Sequence, residues 1–337
     1  MAANLMVNIG GTWKDIAKGY VNVGGVWKEI DKIFVNIGGV WKIAWTSIPP
    51  GGEVWSLTDM GYPTGIAVDS SGCVYVASES TIKKLNSNGV EVWKQTDFYG
   101  SQDIAVDSSG NVYVVGTSSP SVRKINSSGG TVWNNNTVAG AHGVSVDSTG
   151  VYVAHDTEVN KRDLSNGIIV RYNRNASNGR SVVADSSGYV YSAYYNNYDE
   201  KTLDKWNPDV SVVWTLYDVR LGMDVTVDSN GYIYVAYYNG PAEKSVRKLN
   251  NSGTEIWSNT DVGNAYSIAV DSSGNVYVAY QKNAGTKNVR KFNNNGAEVW
   301  SLTDIGMARS IAVDSNGYVY VAYSLAAGNK TVRKIKA

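Results

Sequence analysis

The stretch that decides the fold reads SIAVDSSGNVYVAY and covers residues 267–280. Its apolar run ends at Asp271, a Ser-Ser-Gly turn follows, and a second run of β-branched and aromatic residues comes next. Alternating apolar residues are typical of strands, and an aspartate at the start of a Gly-containing turn favours a tight return of the chain. Residues 288–292 and 297–301 add two further β-prone runs around a turn rich in Asn and Gly. The unit predicts four antiparallel strands, which is the size of one propeller blade.

The same unit recurs along the chain. The aspartate that ends the first strand of each copy is found at Asp69, Asp107, Asp147, Asp185, Asp228, Asp271 and Asp314. Successive aspartates lie 38, 40, 38, 43, 43 and 43 residues apart, a spacing that fits propeller blades. The last copy ends after a third strand at residues 331–335, and the first copy is preceded by a fourth strand at residues 53–57. Pairing of these two pieces closes a ring and removes an exposed sheet edge. We therefore predict an all-β protein with a seven-bladed β-propeller over residues 53–337.

A shorter repeat occupies the N-terminus. The pattern VNxGGxWK occurs at residues 7–14, 21–28 and 35–42, with a period of 14 residues. A Gly-Gly pair between β-prone triplets favours a hairpin, because both glycines readily adopt positive φ. We predict a β-hairpin array over residues 1–45 and a linker over residues 46–52. Hairpins of this size are marginal alone, so the array is expected to attach the chain to a partner. The residues expected at that assembly contact are Trp13, Trp27 and Trp41.

Two residue types recur at fixed places in the blade. Tryptophan recurs in the fourth strand as Trp55, Trp93, Trp133, Trp214, Trp257 and Trp300, and Val170 takes its place in the copy after Trp133. A ring of sugar-stacking platforms is one interpretation. Packing between neighbouring blades is favoured, because the spacing follows the structural repeat. The recurring aspartates are interpreted as caps of turn N–H groups rather than as calcium ligands, since the turn lacks closely spaced oxygen donors.

Three resemblances follow from these motifs. Residues 65–77, GIAVDSSGCVYVA, resemble the NHL repeat, and residues 84–93, KLNSNGVEVW, resemble the quinoprotein repeat, in which a turn and a tryptophan dock one blade onto the next. Together these resemblances extend over residues 53–337 and imply a propeller without specifying its function. The VNxGGxWK units resemble short N-terminal arrays in bacteriophage and prophage tail proteins. That resemblance implies contacts with other virion or tail proteins, a place in the virion tail after synthesis in the host cytoplasm, and room for a homo-oligomer.

Composition argues against several classes of protein. The 30 basic residues balance 30 acidic residues, so nothing predicts a nucleic-acid partner. Cys73 is the single cysteine, which excludes an intrachain disulfide and a multi-cysteine zinc site. No apolar run is long enough to span a membrane, and the first residues do not read as a secretory signal. We expect no metal, no cofactor and no membrane insertion.

The variable loops indicate where a ligand binds. The turns between the first and second strands, and between the third and fourth, are nearly identical in all copies, whereas the other loops differ. Five residues before each aspartate stand Thr64, Gln102, His142, Arg180, Met223, Tyr266 and Arg309. We expect them at the mouth of the central channel. Binding of an asymmetric ligand and neutral drift are the competing explanations of their diversity.

The loops that follow the second strands add a second set of candidates, Tyr194, Tyr195, Tyr198, Tyr237, Tyr238, Tyr280 and Tyr323. Aromatic rings beside small polar residues suit glycans or protein surfaces. The candidate ligand-binding residues are Gln102, His142, Arg180, Tyr194, Tyr195, Tyr198, Tyr237, Tyr266 and Arg309.

Three functions compete. The chain is a virion protein that recognises a host-surface glycan or protein, a purely structural tail-tip or baseplate component, or an enzyme. The enzyme class is disfavoured, because His142 and His155 are the only histidines and fall in one blade. Among propeller enzymes, lyases normally need a His/Glu pair at the channel mouth, and quinoprotein dehydrogenases normally have eight blades. We therefore predict a binding protein and not an enzyme.

Overall fold

The computed structural model describes most of residues 48–337, and within residues 1–47 it describes only the backbone of six strands. The segments outside the described residues are 138–139, 175–177, 196–202, 218–220, 239–243, 282–287, 304 and 325–330. The chain divides into two compact units, Met1–Gly52 and Glu53–Ala337. Within the described residues, no helix is long and apolar enough to cross a membrane.

The N-terminal unit contains strands in antiparallel pairs. They are Leu5–Ile9, Thr12–Ile16, Gly19–Val23, Val26–Ile30, Lys32–Ile37 and Val40–Thr46, paired first with second, third with fourth and fifth with sixth. The turns between paired strands and the side chains of Trp13, Trp27 and Trp41 lie outside the described residues. The assembly role of these tryptophans stays a prediction.

The second unit is a seven-bladed β-propeller of four-stranded antiparallel sheets. We number the blades in chain order and call the strands of each blade a to d, from the channel outward. The a strands are Pro63–Val68, Ser101–Val106, Ala141–Asp147, Gly179–Ala184, Gly222–Val227, Asn264–Val270 and Met307–Val313. The b strands are Val74–Ser78, Val112–Gly116, Gly150–His155, Val190–Tyr194, Ile233–Tyr237, Val276–Gln281 and Tyr318–Ser324. Each a strand contacts the a strands of both neighbouring blades, so the ring is closed.

The outer half of each blade consists of strands c and d. The c strands are Ile82–Leu85, Val122–Ile125, Val159–Arg162, Leu203–Trp206, Val246–Leu249, Val289–Phe292 and Val332–Lys336. The d strands of blades 1 to 6 are Glu91–Gln95, Thr131–Asn135, Ile169–Asn173, Val212–Leu216, Glu255–Asn259 and Glu298–Leu302. Blade 7 takes its d strand from Glu53–Leu57, whose Trp55 pairs with Lys334. The closure predicted from the sequence is confirmed.

The core lies between neighbouring blades. One cluster joins Tyr75 and Ala77 of blade 1 to Ile104 and Val112 of blade 2, and these four side chains are almost completely buried. Strand b is covered on both faces, which explains its near-continuous apolar sequence. Each blade therefore buries its apolar surface only when a neighbour is present on both sides.

The recurring aspartates cap their turns, as predicted. Asp271 Oδ1 accepts hydrogen bonds from the N–H groups of Ser273 and Asn275, both at 2.9 Å, and its Oδ2 accepts one from the Tyr277 hydroxyl at 2.9 Å. In blade 1, a Cβ built on Gly72 of the a–b turn would lie 3.4 Å from Ser87 Cβ of the c–d turn. The a–b and c–d turns, which are nearly identical among the copies, therefore lie on the same face of the propeller.

The recurring tryptophans lock each blade onto the next. Trp93 Nε1 donates to the Ser127 carbonyl of the next blade at 3.1 Å, and a Cβ built on Gly129 of the same turn would lie 2.9 Å from the indole ring. Trp257 repeats this contact, with its Nε1 3.0 Å from the Asn294 carbonyl oxygen and its ring against Gly296. At these two junctions a side chain in place of the glycine would strike the indole.

The junction between blades 3 and 4 departs from this lock. Lys161 pairs with Arg171 just as Lys124 pairs with Trp133, so Arg171, and not Val170 as expected from the sequence, occupies the tryptophan position. On the facing turn, the glycine position is taken by Val210, at φ 60° and 5% exposed. Its side chain packs in the cluster of blades 3 and 4 and fills space that the indole occupies elsewhere. The two exceptions therefore compensate one another.

This compensation predicts a coupling of mutational effects. Val210→Gly should destabilise the protein by about 1–3 kcal/mol, since the lost buried side chain outweighs relief of the left-handed backbone. Arg171→Trp should also destabilise, because its indole meets Val210. The double change restores the lock and should be more stable than the sum of the single effects by about 0.5–3 kcal/mol. Urea unfolding of the four proteins measures this coupling. Arg171→Trp combined with Val92→Gly, two blades away, is the additive control, and additivity of both pairs contradicts the account.

Candidate functional site

The mouth of the central channel is a cavity of about 390 Å³. The position that the sequence singled out contributes a residue to its wall from every blade. These mouth residues are Thr64, Gln102, His142, Arg180, Met223, Tyr266 and Arg309. The cavity lies on the face opposite the repeated turns, where loops d–a and b–c are found.

A β-bulge places each mouth residue. In all seven blades the register between strands a and b shifts at this residue, as it does on either side of Arg180 between Gly179 and Ser181. A bulged residue has no partner opposite it in the ladder, so its side chain can be redirected without loss of neighbouring pairs. Each of the seven blades therefore directs one side chain into the channel, and the pairing of strands a and b does not depend on that side chain.

The residue after each bulge holds the inner strands together. Asp224 Oδ2 accepts a hydrogen bond from the N–H of Ile268 in the next blade at 2.9 Å, and Ser267 Oγ accepts one from Ile311 at 3.2 Å. Where this position is Gly143, a Cβ would lie 2.6 Å from the Arg180 carbonyl oxygen, so the strands approach too closely for any side chain. This channel ring consists of Gly65, Asp103, Gly143, Ser181, Asp224, Ser267 and Ser310.

Two members of the channel ring are carboxylates on the cavity wall. Asp103 accepts hydrogen bonds from the N–H of Ile104 at 2.8 Å and of Val144 at 2.9 Å. Desolvation, reinforced by the charge of Asp224, raises the pKa of Asp103 to about 7 despite these hydrogen bonds. Desolvation also raises the pKa of Asp224, against hydrogen bonds that include one from the Ser181 hydroxyl at 2.6 Å. The floor of the mouth therefore carries acceptor groups in a confined space.

On the rim, a hydrogen-bonded chain orients Arg180. His142 Nε2 lies 2.7 Å from Asp156 Oδ1, and its Nδ1 lies 3.0 Å from Arg180 Nη1. Desolvation and the adjacent guanidinium lower the pKa of His142, against the effect of Asp156. A neutral imidazole that donates from Nε2 to the carboxylate and accepts from the guanidinium at Nδ1 satisfies both contacts. Neutral His142 thus positions the Arg180 guanidinium without adding a second positive charge.

A row of tyrosines connects the two arginines of the cavity. The Arg180 guanidinium lies 5.2 Å from the centre of the Tyr195 ring, and the Arg309 guanidinium lies 5.1 Å from that of Tyr266. Tyr238 bridges them, with edge contacts of 6.2 Å to Tyr195 and 5.7 Å to Tyr266. The rings are half-buried, which leaves part of their surface open to a ligand. We call Tyr195, Tyr238 and Tyr266 the tyrosine arc.

Comparisons with known proteins support the fold and no more. A family model described as beta-propeller repeat matches residues 101–119. A chain of hydrazine synthase from Kuenenia stuttgartiensis is 15% identical, with a TM-score of 0.69 over 83% of this chain and 97% of that chain. The structure of U3-55K is 12% identical, with a TM-score of 0.71 over 86% of this chain and 100% of that chain. No curated protein matches the chain by sequence. Identities this low carry the architecture and not the activity.

The structure brings most of the predicted residues to the mouth. Gln102, His142, Arg180, Tyr266 and Arg309 line the cavity, and Tyr195 joins the arc beside it. Tyr198 lies outside the described residues.

Four tyrosines expected near the channel are buried in the core instead. They are Tyr194, Tyr237, Tyr280 and Tyr323, each with 0% of its surface exposed. Strand b extends through these residues, so its alternation turns their rings inward, and the Tyr194 hydroxyl donates to Asp204 at 2.9 Å. Tyr194 and Tyr237 are therefore corrected from ligand contacts to core residues.

Sequence reasoning missed three carboxylates of the site. Asp156 orients His142, and Asp103 and Asp224 form the acceptors on the floor. Asp103 and Asp224 directly follow the predicted mouth residues Gln102 and Met223. That adjacency is the one signal that could have found them.

The raised pKa of Asp103 predicts how stability depends on pH. Because its folded pKa of about 7 exceeds the unfolded value, the folded protein binds the extra proton, and this favourable contribution is lost as the pH rises through about 7. The unfolding free energy of Asp103→Asn, relative to wild type, should therefore increase between about pH 4 and pH 8. Urea unfolding across this range measures the difference.

An exposed aspartate supplies the control. The Ser211 hydroxyl lowers the pKa of Asp209, so the contribution of this carboxyl to stability changes only below about pH 4. The difference in unfolding free energy between Asp209→Asn and wild type should therefore stay flat between about pH 5 and pH 8. Parallel stability profiles for wild type and Asp103→Asn contradict the assignment of a raised pKa.

Proposed function

We propose that the propeller is the ligand-binding module of a phage-tail protein, and that the channel mouth recognises a host-surface glycan or protein. The observation that carries the proposal is the row of side chains formed by Arg180, the tyrosine arc and Arg309, of which Arg180, Tyr266 and Arg309 line the cavity. This row collects aromatic and cationic groups from four consecutive blades at one edge of a single cavity. Amphipathic rings and guanidinium groups are the side chains that binding surfaces favour.

Two side chains of the site are oriented by contacts within the protein. Tyr266 is fixed by a hydrogen bond of 2.8 Å from its hydroxyl to Gln281 Oε1, and Arg180 is fixed by His142 and Tyr195. Side chains that are already ordered lose little entropy on binding, so even a small contact area supports useful affinity. Bulges hold all mouth residues independently of the ladder, so they can vary among blades without loss of the fold.

The tail context rests on the resemblance of the VNxGGxWK units to the N-terminal arrays of tail proteins. In this proposal, residues 1–45 attach the chain to other virion proteins and the propeller faces the host surface. Many copies on one particle would convert a weak single-site affinity into strong attachment. We propose binding without catalysis, because Asp103 and Asp224 accept hydrogen bonds from the strands that they join and His142 orients Arg180.

Adsorption to bacterial cells or cell-wall material tests the proposal. The double variant Tyr266→Ala/Arg309→Ala removes one end of this row and should weaken adsorption about tenfold or more, as loss of a central aromatic and arginine contact does. The matched control is Arg171→Ala/Tyr172→Ala, which removes the same residue types from the outer edge of blade 3, where both side chains are exposed.

The melting temperature of each variant must equal that of wild type for the comparison to count. Adsorption that survives in the mouth variant at wild-type strength places the contact elsewhere and favours the structural role. Equal losses in the two variants indicate a nonspecific surface effect and reject the channel mouth as the site.

A further inference from the structure

We infer that the ligand of the channel mouth is an acidic sugar unit, whose carboxylate or phosphate binds the arginines of the rim while its hydroxyl groups donate to the carboxylates of the floor. This inference rests on the proposed function and specifies its ligand class. Three features of the mouth carry it: two arginines that have no carboxylate partner among the described residues, carboxylates at the next position of the same strands, and a cavity of suitable size.

The rim arginines differ from the other arginines of the propeller. Several buried arginines of strand c have carboxylate partners, such as Arg123 with Asp97 at 2.6 Å and Arg290 with Asp261 at 2.7 Å, whereas buried Arg162 bonds neutral groups. In the described part of the chain, neither Arg180 nor Arg309 lies within 4 Å of a carboxylate oxygen. Both are held by aromatic rings, which orient a guanidinium but do not neutralise its charge. Within the described residues, the charges of Arg180 and Arg309 therefore remain available to an external anion.

The contacts of Arg180 within the protein favour the binding of an anion. His142 accepts a hydrogen bond from Nη1, and the neutral imidazole leaves the guanidinium its full charge. Arg180 Nε is shielded from solvent and has no hydrogen-bond partner among the described residues. A guanidinium presents parallel N–H groups that match the two oxygens of a carboxylate or phosphate. Because Arg180 lines the cavity, an oxyanion there can bind the exposed part of its guanidinium.

The carboxylates at the bottom of the cavity determine which kind of molecule can carry the anionic group. Asp103 and Asp224 lie one residue beyond the mouth residues in the same strands, and Glu79 adds a third carboxylate to the wall. Carboxylates repel an anion, so the anionic group stays at the rim. Each Asp103 oxygen accepts one backbone N–H group and retains capacity for another donor. Sugar hydroxyls supply such donors at several positions around one ring.

The size of the cavity agrees with this assignment. Its volume of about 390 Å³ lies in the range of small-ligand sites. The Tyr266 ring lines it and offers apolar surface to the C–H groups of a pyranose. One acidic sugar of a longer polymer can therefore enter the mouth while its neighbours remain outside.

Titration of the full-length protein with defined polymers tests the inference. The probes are polygalacturonate, which carries carboxylates, poly(glycerol phosphate), which carries phosphates, and dextran, which is neutral. At least one anionic polymer should bind about tenfold or more tightly than dextran, and the stronger of the two identifies the source of the anion. Arg180→Gln and Arg309→Gln should each weaken that binding about ten- to a hundredfold, the worth of charge-assisted hydrogen bonds. Arg171→Gln, at an exposed position outside the mouth, makes the same charge change and should have no effect.

The outcomes separate this inference from the proposed function. If dextran binds as tightly as both anionic polymers, or if Arg171→Gln loses as much affinity as the mouth variants, the anion assignment is wrong. If cells adsorb through Tyr266 but both arginine variants bind like wild type, the channel mouth remains the site and only the ligand class is rejected. If no polymer binds, the acidic-sugar class is rejected, and the adsorption experiment alone then decides whether the mouth binds a protein.

Discussion

The innermost strands of this propeller are held together by side chains that reach across from one blade and accept hydrogen bonds from the backbone of the next. The 2.9 Å contact from Asp224 to Ile268 is typical, and at Gly143 the backbone of the neighbouring blade takes the place of a side chain. Seven sheets can close into a ring only if their a strands converge in this way. The bulge immediately before each contact then directs one residue per blade toward the channel. Closure of the ring and exposure of the mouth residues are therefore consequences of one arrangement.

At the outer radius the same blades are joined by the tryptophan lock. Its two halves, an indole and a glycine, must change together, and the chain does so once, where Arg171 faces Val210. The replacement keeps the blades packed, because the buried valine fills the space of the ring. Repeated contacts join the blades at both radii, and the mouth residues have no partner opposite them in the a–b ladder. They are free to differ from blade to blade, as a binding site requires.

The repeated part of this architecture could be predicted from the sequence. The spacing of the aspartates predicts the blade count, the split blade predicts closure, and a fixed offset from the aspartate finds every mouth residue. Features that depend on local register could not be predicted. Tyr194 and Tyr237 are β-prone residues that also suit loops, so only the structure shows that strand b includes them. For the same reason, the tryptophan position of blade 3 was assigned from the sequence to Val170, one residue before Arg171, which occupies it. Desolvation of Asp103 and Asp224 depends on the convergence of several strands, which no single segment of sequence encodes.

The account makes the channel face the working surface of the propeller and the turn face its scaffold. Hydrogen–deuterium exchange of the full chain, with and without adsorbed cell-wall material, tests this division most directly. The account predicts slower exchange in peptides that contain the mouth residues of blades 4 to 7, because a bound ligand covers them. Protection confined to the opposite turns, around Asp228 and Asn250, or to residues 1–47, would contradict it.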